Sequence, residues 1–212
     1  MVDLNRLREA IIAGKLEPAV EVTHQIIEEQ LDIQEVINNY MIKAMEEIGD
    51  RFQQQKAYVP ELLMAARAMK GSLELLKPHI KGENTTIIGK IVIGTVFGDL
   101  HDIGKNLVAS MFEGCGFEVV NLGVNIPTDK FIETVKEEKP DILCLSALLT
   151  TTMNNMKGVI DALQKAGMRD QVKVMVGGAP VNEIFANQIG ADGYSSNANA
   201  AVLKAKELLA IA

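Results

Sequence analysis

Three histidines and two cysteines are all the imidazole and thiol metal ligands that the sequence offers, and this scarcity rules out several chemistries. A zinc site wants three or four nitrogen, sulfur or oxygen ligands at close spacing. Cys115 and Cys144 match no zinc pattern, and Cys144 lies inside DILCLSAL, where it reads as a buried strand residue. His24 and His79 fall on helical or linker sequence with no HxxxH partner, so they read as bundle or surface residues. A His-Asp phosphohydrolase would need more histidines to hold its metals. Basic charge is short as well. The net charge is −7, and no Lys/Arg cluster with interleaved aromatics occurs, so no nucleic-acid-binding face is expected. No apolar run is long enough to span a bilayer. The amino-terminal MVDLNRLREA is polar and amphipathic, without the apolar core of a signal peptide. No membrane attachment is expected, and a cytoplasmic location is. A G-x-G-x-x-G turn and a P-loop are also missing.

What is present is a chain of 212 residues, 48% hydrophobic and 23% charged, ample for one large or two small domains. The first part reads as helices. DLNRLREAIIAGK places Leu4, Leu7, Ile11 and Ile12 on one face, with Asp3 as cap and Gly14 as stop. Further helices are predicted over 17–30, 32–55 and 59–80. The third carries a stripe of Ile37, Met41, Ala44 and Ile48, and the fourth has Pro60 in its first turn, where the missing N–H is not needed. Residues 78–90 read as a linker. Beyond it, KIVIGTV, FEVVNLG, DILCLSAL and VKVMVGG are short apolar runs of the kind found in parallel strands buried on both faces, and ADGYSS is a weaker fifth. Helices are expected between them, over 104–114, 128–138, 152–167, 181–189 and 198–211. The expected architecture is α/β: a four-helix bundle over residues 1–85, then a doubly wound, flavodoxin- or Rossmann-like parallel sheet over residues 86–212.

Doubly wound sheets bind ligands beyond the carboxyl ends of their strands. The first strand ends in GDLHDIGKN, residues 98–106, the third runs into SALLTTT, residues 146–152, and the fourth ends in Gly177-Gly178. Together these offer one imidazole with carboxylates, a row of hydroxyls and a bare-backbone diglycine. A single histidine suits one metal role, that of axial ligand to a metal whose other positions a macrocycle fills. Its second ring N–H then needs an acceptor to fix tautomer and orientation, and Asp99 is two residues away.

Asp99-x-His101-x-x-Gly104, Ser146-x-Leu148 and Gly177-Gly178, in this order, resemble the signature of cobalamin-binding domains of the methyltransferase class. The preceding helices are similar to the cap bundle of cobalamin-dependent methionine synthase and of small corrinoid proteins, and the likeness runs over nearly the whole chain. It implies a cobalamin or related corrinoid cofactor, carrying cobalt and cycling through methylcobalamin. His101 would be the lower axial ligand, replacing the cofactor's own dimethylbenzimidazole, with Asp99 as its hydrogen-bond partner. Gly98, Asp102 and Gly104 would belong to the same cofactor-binding turn, with Asp102 unassigned between capping the following helix and facing solvent. Ser146, Leu148, Thr150, Gly177, Gly178 and Ala198 would line the path of the displaced nucleotide tail, and Phe52 and Val59 in the bundle would meet the upper face. The implied function is a methyl carrier. It takes a methyl group through a substrate-specific methyltransferase and hands it to a second methyltransferase with a folate or thiol acceptor. A reductive activator is a third implied partner. The bundle would swing aside on the 78–90 linker, and the chain alone is not expected to be a complete enzyme. Its rivals are a B12-dependent sensor, a small subunit of an adenosylcobalamin mutase, and a flavodoxin-like domain with an incidental histidine.

Overall fold

The computed structural model describes residues 2–79 and 88–211. It divides into two compact units, Met1–Ile88 with Ser110–Phe117, and Gly89–Ala109 with Glu118–Ala212. The expected boundary at 85/86 and the centre of the expected 78–90 linker lie outside the described residues.

The first unit is helical. Helix α1 (Leu4–Ile12) begins where the Asp3 carboxylate accepts the N–H groups of Asn5 and Arg6, and it buries Leu7 and Ile11. Helix α2 spans Leu16–Glu28. The predicted third helix is one run with an irregular turn. α3 (Ile33–Val36), capped by the Asp32 carboxylate, passes through a π turn at Ile37–Met41 into α4 (Ile42–Gln53). The predicted stripe of Ile37, Met41, Ala44 and Ile48 is buried throughout. Helix α5 (Val59–Leu76) starts with Pro60 in its first turn and with the Tyr58 N–H donating to the Glu61 carboxylate. It ends four residues before the predicted 80. Pro78, which lacks an amide hydrogen, follows in a short 3₁₀ turn.

The second unit is a five-stranded parallel sheet in the order β2-β1-β3-β4-β5. The strands are β1 (Lys90–Thr95), β2 (Glu118–Asn121), β3 (Ile142–Ser146), β4 (Lys173–Gly177) and β5 (Gly193–Tyr194). Between and after the strands in sequence come α6 (Ile103–Gly114), whose residues from Ser110 onward belong to the first unit, α7 (Thr128–Glu138), α8 (Asn155–Lys165), α9 (Glu183–Ile189) and α10 (Ala198–Leu208). Burial on both faces, predicted for the strands generally, holds for β1 and β3, whereas β2 is only half-buried because it is an edge strand. Helix α8 begins three residues later than predicted, since residues 150–154 form turns.

Register places the functional end of the sheet. Thr95 of β1 pairs with Ser146 of β3, and Ser146 pairs with Gly177 of β4, so three strands finish level. The chain leaves β1 for β2 on one side while β3 lies on the other, which makes the β1/β3 junction the topological switch point. Below it, Phe131 of α7 is fully buried with Val92, Leu143, Leu145, Val174 and Val176. A side chain at Gly94 would come within 2.8 Å of that ring, so the absence of one lets α7 pack closely near the carboxyl end of β1. Phe131→Ala should cost about 3–5 kcal/mol of stability, measured by denaturant unfolding; a loss under 1 kcal/mol would show that this ring is not the packing centre.

Candidate functional site

The loop leaving β1 carries Asp99 and His101, and Asp99 organises it. Its side chain is 0% exposed, whereas that of His101 is 50% exposed. The two carboxylate oxygens divide their work. Oδ1 accepts the His101 backbone N–H at 3.1 Å and faces the ring Nδ1 at 2.7 Å. Oδ2 accepts from the loop after β3: the Leu148 N–H at 2.8 Å, the Leu149 N–H at 3.3 Å and the Thr152 hydroxyl at 2.7 Å. One carboxylate therefore crosses the switch point and fastens both loops to each other.

Burial by itself pushes the Asp99 carboxyl pKa up. The hydrogen bonds from the Thr152 hydroxyl, the His101 and Leu148 amides and the His101 ring outweigh it, and hold the group well below the usual carboxylate range. An ionised carboxylate only accepts hydrogen bonds, so Nδ1 carries the ring proton in neutral His101 and Nε2 keeps its lone pair. The turn is braced further by Thr95, whose hydroxyl donates to the His101 carbonyl at 2.9 Å, and by Asn155, whose amide donates to the Phe97 carbonyl at 2.8 Å.

Large apolar side chains stand exposed on the same two loops and at the start of α6: Ile103 at 87%, Leu100 at 71%, Phe97 at 56%, with Leu149 and Leu148 just above 40%. Contiguous exposed apolar surface marks a binding surface. Among the described residues, no group of three His, Cys, Asp or Glu side chains could hold a bare metal ion. A single oriented imidazole amid apolar side chains fits a metal that brings its own equatorial ligands within a broad, partly apolar ring.

The remaining predicted residues are placed as follows. Ser146 is half-buried at the end of β3, and its carbonyl accepts the Val96 N–H. Thr150 is exposed in the following turn; Thr152, two residues on, is the hydroxyl that reaches Asp99. Gly177 and Gly178 differ in kind. A side chain at Gly177 would meet only the Ser195 carbonyl at 3.7 Å, leaving open room at the strand ends. At Gly178 φ is +129° and a Cβ would lie 1.8 Å from the Ala147 oxygen, so the protein's own backbone requires glycine there. Gly98 has φ +81°, and Gly104 lies open in the first turn of α6. Ala198 is the buried first residue of α10, whose cap is Asn197. Phe52, half-buried in α4, and Val59, exposed at the start of α5, belong to the helical unit, where Tyr58, Leu63 and Met64 are also exposed.

Asp102 precedes α6 and accepts from the Asn106 amide at 3.0 Å. Asn106 belongs to a polar cluster around the buried Lys105 that sequence reasoning missed; Asn106 and Asn121 are themselves exposed. Lys105, 4% exposed, donates from Nζ to the side-chain oxygens of Asn106 at 2.6 Å and Asn121 at 2.7 Å, linking the start of α6 to the end of β2. Burial lowers the Lys105 pKa, partly offset by Asp102.

Two B12 binding domain families match the sequence, one over residues 89–203 and one over residues 3–77. The chain belongs to the B12-binding corrinoid proteins. It is 44% identical to the dimethylamine corrinoid protein of Methanosarcina barkeri over 98% of this chain and 97% of that one. With the trimethylamine corrinoid protein of the same organism it shares 43% identity over 96% and 95% of the two chains. Among solved structures, a cobalamin-binding protein from Desulfitobacterium hafniense DCB-2 superposes with a TM-score of 0.83 at 34% identity, over 98% of this chain and 99% of that one. A chain of the methanol:cobalamin methyltransferase complex of Methanosarcina barkeri gives 0.85 at 30% identity, over 98% of this chain and 79% of that one.

Thr152→Val keeps the volume of the side chain but removes a donor from the buried Asp99 carboxylate. It should lower stability by about 1.5–3 kcal/mol, the usual worth of a hydrogen bond to a charged group. Urea unfolding of the variant checks this, and an unchanged midpoint would mean that the hydroxyl contributes nothing to holding the carboxylate.

Proposed function

We propose that the protein is a corrinoid methyl carrier, in which His101 is the lower axial ligand of the cofactor's cobalt and Asp99 its orienting partner. The observation that carries this reading is the pairing of His101 Nδ1 with a buried, multiply bonded carboxylate at 2.7 Å, which leaves Nε2 as the ligating atom. A corrin-bound cobalt supplies a centre that accepts and releases a methyl group, chemistry that no side chain offers.

The chain's own residues do the rest. Asp99 keeps the proton on Nδ1 and sets the ring's angle, while Thr152 and the Leu148 amide prevent the carboxylate from turning away. Phe97, Leu100, Ile103 and Leu148 provide apolar area to displace water from a macrocycle. Ser146, Thr150, Gly177, Gly178 and Ala198 are proposed to receive the nucleotide tail. Phe52 and Val59 in the helical unit are proposed as further apolar contacts for the corrinoid. Methyl groups would arrive from a substrate-specific methyltransferase, and the dimethylamine and trimethylamine relatives support a methylated amine as their source. A second methyltransferase, with a folate or thiol acceptor, would remove them, and a reductive activator would restore the cofactor. Among the described residues no helix is long and apolar enough to cross a membrane, which accords with the proposed cytoplasmic location.

Reconstitution of the protein and of His101→Gly with cobalamin tests the reading. The native protein should retain the cofactor with the absorbance of a histidine-ligated corrinoid. The variant should show that of a corrinoid without a protein ligand, and added imidazole should restore the first spectrum. An identical spectrum in both proteins would overturn the ligand assignment, and failure of the native protein to retain cobalamin would overturn the carrier reading.

A further inference from the structure

The loop after β2 also reaches the His101 turn, through a residue that neither the strand-end pattern nor the cofactor argument singled out. Past the end of β2 the chain continues alongside β1: the Leu122 N–H donates to the Ile93 carbonyl, the Thr95 N–H to the Gly123 carbonyl, and the Ile126 N–H to the Thr95 carbonyl. Asn125 lies within this segment in the left-handed region, at φ +55°. Its side-chain Oδ1 accepts the Gly98 N–H at 2.8 Å, and its own N–H donates to the Asp99 carbonyl at 2.9 Å. Asp99 is thus gripped on two sides, its carboxylate by the loop after β3 and its main chain by Asn125.

We propose that Asn125 is a positioning residue for the His101 ligand, acting through Gly98 and Asp99. This rests on the reading of His101 as the axial ligand. Few residues could serve here. The backbone conformation disfavours most side chains, and asparagine is among those that tolerate it. Glycine tolerates it too but carries no acceptor for Gly98, while aspartate supplies an acceptor at the same position. Gly98 has φ +81° and no side chain, so it is the natural pivot of the turn, and the Asn125 oxygen is what stops it. Both residues are exposed, so water can replace the lost bond. Removing the acceptor should therefore change the freedom of the turn more than the stability of the fold.

The test compares Asn125→Gly, Asn125→Asp and His101→Gly in the full chain. Amide hydrogen exchange is read without cofactor, absorbance after loading with cobalamin, and unfolding midpoints in parallel. Exchange at Gly98 in Asn125→Gly should rise about fivefold, the equivalent of one ordinary hydrogen bond, with the unfolding midpoint close to native. The loaded variant should show a mixture of histidine-ligated and unligated spectra. Asn125→Asp should stay near native in both readouts. The inference is overturned if Asn125→Gly matches the native protein in exchange and spectrum, or if Asn125→Asp loses as much as Asn125→Gly. It is also overturned if the spectral change simply follows the unfolded fraction. An unchanged spectrum in His101→Gly would instead locate the failure in the ligand reading.

Discussion

A carboxylate with no exposure to water persists as an anion only where hydrogen-bond donors replace its hydration. Asp99 meets that condition with donors from two loops, and the candidate site follows from how it does so. Its ring-facing oxygen fixes the His101 tautomer and direction. The other oxygen uses the Leu148 and Leu149 amides and the Thr152 hydroxyl, which forces the chain after β3 into the turns that delay α8. The same ion that orients the imidazole therefore shapes the neighbouring strand end. Because β1 and β3 flank the switch point, the two loops would otherwise diverge, and the carboxylate holds them together.

The division of labour between the strand ends is chemical. The β1 end supplies an imidazole whose neutral form is committed to one tautomer by Asp99. The β3 end supplies donors, and β4 ends at Gly177, where a side chain would have open room. Around them Phe97, Leu100 and Ile103 expose apolar area that a free-standing loop would gain nothing by showing to water. The arrangement favours a large, partly apolar cofactor over a small hydrophilic ligand.

Much of this was legible in the sequence, for reasons that can be named. Buried parallel strands must be continuously apolar, so KIVIGTV, DILCLSAL and VKVMVGG stood out, and all five helices of the α/β part were found within three residues of their ends. The pairing of Asp99 with His101 was legible because a carboxylate two residues from an imidazole lies within its hydrogen-bonding reach. The π turn at Ile37–Met41 was not, since the apolar stripe continues across it without interruption. Thr152 was passed over in favour of Thr150 because three consecutive threonines carry no mark of which one points inward; that depends on the turn, which depends on Asp99. Gly178 was read only as clearance for a ligand, and its φ and the approach of the Ala147 carbonyl show that the backbone requires glycine there as well. Lys105, Asn121, Asn125 and Asn155 were invisible for a common reason. Each acts through a partner distant in sequence, and polar residues in a loop look alike until the fold brings those partners to within hydrogen-bonding distance.

The central claim is that a nitrogen of this protein, and not one of the cofactor's own, lies under the cobalt. Electron paramagnetic resonance of the cobalt(II) form, loaded into protein labelled with ¹⁵N only at histidine, decides it directly. The account predicts that the nitrogen splitting changes from a triplet in unlabelled protein to a doublet in the labelled one. A triplet that persists after labelling would contradict it, since the axial nitrogen would then belong to the cofactor.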